Sequence, residues 1–322
     1  MSTLEHARPA GAVAAPPSGA DVIADRLFRG LAQAAAWVIL LLLVFILWEI
    51  GGKALPGIRT HGVGLLTSTA WDVGRGSFGI LPAIWGTLYS SLLALAIGGF
   101  FGVTMAIFLT QDFLPPGLAQ IFRITVELLA AIPSVVYGLW GIFAVVPVIR
   151  PIANWLHQVL GFIPFFGTTL SGPGLLPAAL VLAIMILPTV AAVSQDALRQ
   201  VPYRVKEAAY GMGATRWEAI LRVMLPTAAT GIFGALVLGF GRALGETMAL
   251  AMLIGNSNQL TLSLFSPANT LAALLALNFP EAGPREIPVL MYAALALLGI
   301  TLVVNVAGEW IMARATRFAR RK

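Results

Sequence analysis

Apolar residues run along this chain in long blocks rather than at every second or every third to fourth position. Blocks at residues 31–48, 83–109, 128–149, 175–193, 228–254 and 289–312 each approach the ~20 residues that a helix needs to cross the hydrocarbon layer. The pattern therefore predicts an all-α integral membrane protein with six transmembrane helices. Residues 1–25, rich in Ala, Pro and Gly with no apolar period, read as a disordered tail. Residues 26–318 form the membrane domain, and 319–322 a short basic end. The first block follows Arg26 and Arg29, as the core of a signal peptide would. It is longer than a typical signal core, and 49–55 offers no small-x-small cleavage site, so it reads as a retained anchor.

Composition agrees. Hydrophobic residues make up 58% and charged residues 11% of the chain, against roughly 45–50% and about 25% in soluble domains. So little charge cannot cover a core with water-solvated surface, and lipid is the main solvent. The net charge of +6 does not point to nucleic acid, because the basic residues flank the apolar blocks. With the N-terminus inside, the inner segments hold Arg8, Arg26, Arg29, Arg123, Arg199, Arg204, Lys206, Arg216, Arg222, Arg314, Arg317, Arg320, Arg321 and Lys322. The outer segments hold only Lys53, Arg59, Arg75, Arg150 and Arg285. This asymmetry predicts both termini, and the loop at 199–226, in the cytoplasm.

Two outer connections have unusual content. Residues 150–173 carry Phe162, Ile163, Phe165 and Phe166, and 255–288 contain an apolar helical stretch at 270–278. Both fit either a lid or docking surface or interfacial helices under the headgroups. Gly98 with Gly102, and Gly241 with Gly245, are spaced for close helix approach, and Pro133 and Pro188 are expected to bend their helices.

Catalysis within the chain is not expected. No phosphate-cradling G-x-x-x-x-G-K-[ST] loop accompanies the only lysines, Lys53, Lys206 and Lys322. His6, His61 and His157 form no H-E-x-x-H pair, and no block contains a histidine that could serve a serine nucleophile. The absence of cysteine removes thiolate chemistry and thiolate metal sites. No catalytic residue, metal ligand or cofactor is assigned to this chain.

The loop at 199–226 predicts a short helix over about 202–210, a break at 211–213 and a second helix over about 216–225. That makes a compact knob, with Trp217 available to anchor it in a groove on a soluble partner. Within it stand Glu207, Ala208 and Ala209, three residues, Gly213, nine residues, and then Val223, Met224, Leu225 and Pro226. This spacing resembles the E-A-A-x3-G-x9-I-x-L-P loop of ABC importer permeases, with Val223 for Ile the one departure. The resemblance implies that Glu207, Ala208, Ala209, Gly213, Leu225 and Pro226 belong to a coupling element that docks on an ATPase.

Arg242 has 14 residues of apolar run before it and 12 after it, so it lies near the middle of the fifth block. An unpaired charge there costs about 2.5–3.5 kcal/mol on insertion scales, so the guanidinium faces protein or water. Glu246, four residues on, is spaced for an i,i+4 ion pair. Arg242 can offer bidentate donors to an oxyanion, with Glu246 accepting from a protonated ligand oxygen or holding the Arg when the site is empty. Alternatively the two form a structural pair that locks helix packing.

The run from Gly241 through Arg242, Glu246 and Thr247 to Ala249 resembles phosphate ABC importer permeases, and related runs occur in sulfate and molybdate permeases. Residues 127–143 look like the PstC type of subunit in particular, and the resemblance covers about 30–318. It implies a type I permease fold, with Arg242, Glu246 and Thr247 along the substrate path. The implied partners are a second permease of PstA type, two ATPase subunits of PstB type that carry ATP and Mg, and a periplasmic phosphate-binding protein. Together these imply ATP-driven phosphate import across the bacterial inner membrane by alternating access. The alternatives are a sulfate or molybdate permease or, from a different class, a passive anion channel.

Overall fold

The computed structural model describes residues 19–111 and 113–319. The expectations for 1–18 and 320–322 lie outside these described residues. Helix α1 (Gly19–His61) starts inside the stretch read from sequence as a disordered tail through residue 25. Ala20 and Ala24 favour helix, and Asp25 pairs with Arg29 one turn later at 2.8 Å. The rest of the chain forms α2 (Gly64–Thr67), α3 (Leu81–Thr110), α4 (Pro116–Ala131), α5 (Ser134–Trp140), α6 (Val146–Leu160) and α7 (Leu175–Arg199). It continues through α8 (Tyr203–Gly211), α9 (Arg216–Glu218), α10 (Leu225–Gly245), α11 (Met248–Leu253), α12 (Leu271–Asn278) and α13 (Ile287–Ala319). Among the described residues, strand-type pairing is confined to one bridge, Asp72 with Ser77.

The chain divides into two compact units, one ending at Gly52 and the other beginning at Lys53. In the first, every apolar side chain over 38–48 of α1 is exposed. A helix apolar on all sides and exposed on all sides is suited to lipid as its solvent. Among the described residues, six helices are long and apolar enough to cross a membrane.

The second unit is organised around α7, whose apolar window is 61% buried, against 17% for α13. Leu182, Ile186 and Val190 of α7 are almost wholly buried. Helix α3 approaches them closely because two of its glycines leave room. A Cβ on Gly98 would stand 2.6 Å from the Ala183 carbonyl oxygen, and one on Gly102 2.9 Å from Val190. The second glycine pair behaves differently. A Cβ on Gly241 would meet Asn305, but one on Gly245 would meet nothing within 4 Å, so Gly245 serves no close helix contact.

Two apolar blocks are not the single straight helices that their length predicts. The third breaks at Ile132 and Pro133, both extended, so the helix long enough to span is Ser134–Leu160 rather than 128–149. The residue before a proline is pushed out of the α region, which ends α4 there. Pro188, by contrast, sits inside α7 without ending it. The fifth block also breaks, between α10 and α11, at Glu246 and Thr247. In the opposite sense, the second helix of the knob does not stop near Leu225. From Arg216 to Gly245 the helix runs on for 30 residues.

Two π-helical turns allow such continuity. Gly141–Val145 and Ala219–Met224 each precede a helix whose second residue is proline, Pro147 and Pro226. Proline has no N–H to donate and its ring crowds the carbonyl four residues back. A preceding turn widened to the i→i+5 pattern lets the helix continue past it.

The segments expected as lids or headgroup helices are packed into the second unit. Leu271, Ala272, Ala273 and Leu274 of α12 are buried. Thr270 accepts from the Ala273 amide at 3.2 Å, and Thr87 of α3 accepts from the Leu271 amide at 2.9 Å. These bonds satisfy two of the free donors at the start of α12. In 150–173 the helix persists to Leu160, Phe166 stacks near Phe265 at 5.7 Å, and Phe162 stays 81% exposed.

Replacing Gly98 with Val should cost about 1–3 kcal/mol, the range for overpacking a close contact. Gly245→Ala, facing open space, should change stability by less than about 0.5 kcal/mol. Thermal melting of the purified protein in detergent reads both. A Gly98→Val protein that melts with the parent would rule out the close α3–α7 approach.

Candidate functional site

Arg242 lies in the last turn of α10, just before the break in the fifth block. Two side chains there compete with the helix for its own backbone groups. Thr247 donates its hydroxyl to the Gly245 carbonyl at 3.1 Å, and a Glu246 carboxylate oxygen accepts from the Ala249 amide at 3.3 Å, at the start of α11. Polar side chains with local backbone partners favour helix ends over helix interiors. The guanidinium also sits at a helix C-terminus, where the backbone carbonyls favour a cation.

The expected ion pair is not formed. Glu246 has left the helix, so the i,i+4 geometry is lost, and among the described residues no salt bridge joins it to Arg242. Arg242 instead donates to the Thr189 hydroxyl of α7 at 3.0 Å. Around this bond lies a pocket of about 420 Å³ lined by Thr189, Leu238, Gly241, Arg242 and Asn305. A water molecule's share of liquid volume is about 30 Å³, so a small polyatomic ion has room. The pocket draws on α7, α10 and α13. Glu246 and Thr247 do not line it.

Sequence reasoning missed Thr189 and Asn305. Asn305 left a legible trace, an amide deep inside the last apolar block. Thr189 left none, since hydroxyl residues are common in such helices.

The knob at 199–226 is built by two opposed caps. Helix α8 ends in a Schellman motif: the Gly213 amide donates to the Tyr210 carbonyl at 2.9 Å and the Ala214 amide to the Ala209 carbonyl at 3.1 Å. Gly213 takes φ +83°, and a Cβ there would meet nothing within 4 Å. Only backbone conformation, then, demands glycine. Thr215 then opens the next helix with a capping box. Its hydroxyl accepts from the Glu218 amide, and its own amide donates to the Glu218 carboxylate at 3.0 Å. Between the two helices is an open hollow of about 710 Å³ bordered by Arg204, Ala208, Ala209, Gly213, Glu218 and Arg222. Glu207 and Ala208 are exposed.

Trp217, half exposed, also packs within the chain. It stacks on Phe113 at 4.9 Å and meets Phe108 edge-on at 6.5 Å. Beside it the Arg216 guanidinium lies 4.7 Å from the Phe113 ring and donates to the Gln111 carbonyl at 2.8 Å. The indole thus fastens the base of the knob to the α3–α4 turn. Leu225 and Pro226 end the π turn and carry the helix onward. Among the described residues no group of three or more His, Cys, Asp or Glu is placed to hold a metal ion.

An all-helical core of spanning helices, a charged pocket between three of them and a capped knob at the base of one together define a transport subunit. Residues 102–321 match the family model "Binding-protein-dependent transport system inner membrane component", and the chain belongs to that family of ABC transporter permeases. It is a multi-pass inner-membrane component. The chain is 37% identical to a Mesorhizobium japonicum protein named phosphate transport system permease protein PstC, over 91% of both chains. It is 39% identical to the Haemophilus influenzae protein of that name, covering 90% of this chain and 93% of the relative.

Solved structures agree on the fold. A bacterial ABC transporter involved in the import of the acidic polysaccharide alginate aligns with TM-score 0.57 at 17% identity, covering 90% of this chain and 99% of that one. The inward-facing MetNI methionine ABC transporter aligns with TM-score 0.55 at 19% identity, over 73% and 95%.

A β-branched side chain at 213 must adopt a left-handed conformation that costs about 1–2 kcal/mol, whereas asparagine tolerates it. Hydrogen exchange at the Ala214 amide should therefore quicken roughly tenfold in Gly213→Val and change little in Gly213→Asn. Equal exchange in the two variants would show that the cap does not depend on that backbone angle.

Proposed function

We propose that this chain is one of two permease subunits of an ATP-driven importer that carries inorganic phosphate inward by alternating access. The observation that carries this reading is the Arg242 pocket. A guanidinium, whose one hydrogen bond among the described residues is to a neutral hydroxyl, faces a space large enough for an oxyanion within a long apolar block. Relatives named as phosphate permeases support phosphate as that ion. Guanidinium is the side chain best matched to such a ligand, because it donates two parallel hydrogen bonds to two oxygens.

The partners in this reading are those that the resemblance to phosphate permeases implies. Arg242 and Asn305 are exposed on this chain, and a charge at this depth is not left facing lipid. A second membrane subunit of PstA type, covering this face, would complete the path. Hydrolysis of ATP with Mg belongs to two PstB-type subunits docked at the knob, and a periplasmic binding protein supplies phosphate from outside. One continuous helix, Arg216 to Gly245, joins the knob to the turn that holds Arg242. A push on the knob can thereby reach the pocket as motion of a rigid rod. A passive anion channel would have no use for that linkage. A sulfate or molybdate permease would use the same donors, so competition among oxyanions separates it from the phosphate reading.

In a strain lacking its own phosphate importer, uptake should be lost in Arg242→Gln and only partly retained in Arg242→Lys, whose ammonium lacks the planar fork. Glu246→Gln should impair uptake less. With no ion pair between the two, the double variant should show no recovery over Arg242→Gln. Native uptake by Arg242→Gln, or competition by sulfate or molybdate as strong as by phosphate itself, would overturn the assignment.

The asymmetry of basic residues supports a topology with both termini and the knob in the cytoplasm. Because the chain has no cysteine, single cysteines can report sidedness, at Met212, 89% exposed, and Phe162, 81% exposed. An impermeant thiol reagent applied outside intact cells should label Phe162→Cys and spare Met212→Cys. The reverse pattern would invert the topology.

A further inference from the structure

Asn305 is unusual among the residues of α13. It lies within an otherwise apolar stretch, is exposed on this chain, and borders the Arg242 pocket. Its closeness to α10 depends on glycine: a Cβ on Gly241 would stand 3.2 Å from the Asn305 amide oxygen and 3.9 Å from its nitrogen. Gly241 immediately precedes Arg242, so the missing side chain sets the amide against the turn that carries the guanidinium. An amide without a partner in an apolar setting costs a few kcal/mol. Yet among the described residues no hydrogen bond uses either the Asn305 oxygen or its nitrogen.

We propose that Asn305 is a second substrate-contacting residue, which binds the translocated oxyanion together with Arg242. This rests on the reading of Arg242 given above.

The chemistry of the ligand requires such a group. At neutral pH phosphate carries both charged oxygens and at least one hydroxyl, so it needs donors and an acceptor. Arg242 can only donate. The Thr189 hydroxyl already accepts from Arg242. Glu246 could accept, but it is absent from the pocket lining and one of its oxygens takes the Ala249 amide. Asn305 alone in this pocket brings a carbonyl oxygen with no protein donor on it, and its NH2 adds two donors beside it. One amide can thus take the ligand hydroxyl and bond a neighbouring charged oxygen, while Arg242 neutralises the ion.

The test uses the complete importer, with its partner subunits and binding protein, in membranes of a strain without native phosphate uptake. Asn305→Asp keeps the size but places a carboxylate beside Arg242. It should engage the guanidinium and repel the substrate, cutting uptake by about tenfold or more at normal protein level, the size of one lost hydrogen bond to a charged group. Asn305→Leu should raise KM for phosphate by a similar factor. Asn305→Ser, which can still donate and accept, should raise it less.

If Asn305→Asp is lost from the membrane, the KM comparison between the Leu and Ser variants decides. Native KM and maximal rate in Asn305→Leu overturn the proposal, as does a fall in protein level with KM unchanged, which would mark a packing role. Should Arg242→Gln itself transport normally, the reading of Arg242 fails. A dead Arg242→Gln beside a fully native Asn305→Leu removes Asn305 alone.

Discussion

Arg242 sets a guanidinium inside an apolar block, where a charge is costly unless protein or water meets it. Much of the site follows from accommodating it. The charge sits in the last turn of α10, next to a hydroxyl that accepts from it, and over a space that an anion can fill. Glu246 and Thr247 make that ending possible by taking backbone hydrogen bonds that would otherwise continue the helix. A block that looks like one straight span is in this way divided at its most polar point.

The same helix makes the pocket answerable to events elsewhere. From the Thr215 cap to Gly245 the chain is helical throughout, and the π turn over Ala219–Met224 carries it past Pro226. At its base, Trp217 and Arg216 clamp Phe113 and Gln111, which ties this helix to the turn after α3. Helix α3 in turn rests on α7 through Gly98 and Gly102, and α7 supplies Thr189. The knob, the clamp and the pocket are therefore connected by close-packed elements, which transmit displacement rather than absorb it.

Much of this was legible in the chain itself. Six spans, a glycine break between two short helices and an arginine in the fifth apolar block all follow from local rules: span length, backbone freedom and the cost of a charge in lipid. The break at 211–213 appears as a Schellman turn with Gly213 at φ +83°, because only that residue type adopts the angle freely. Spacing matched to the E-A-A loop singled out 199–226 as the knob.

What the sequence left undecided, or pointed to wrongly, concerns partners far apart in the chain. Four-residue spacing suggested that Arg242 pairs with Glu246, but spacing presumes an unbroken helix, and the pair dissolves where α10 stops. The stacking of Trp217 on Phe113, 104 positions away, left no trace in the sequence. Thr189 reaches Arg242 from α7 and Asn305 borders the same pocket from α13, and no periodicity records which faces of α7 and α13 meet α10. Local backbone chemistry thus determined the spans, the caps and the presence of the charge. Only the packing of one helix on another decided which groups surround that charge, because hydrogen bonds and close contacts depend on distance in space, not along the chain.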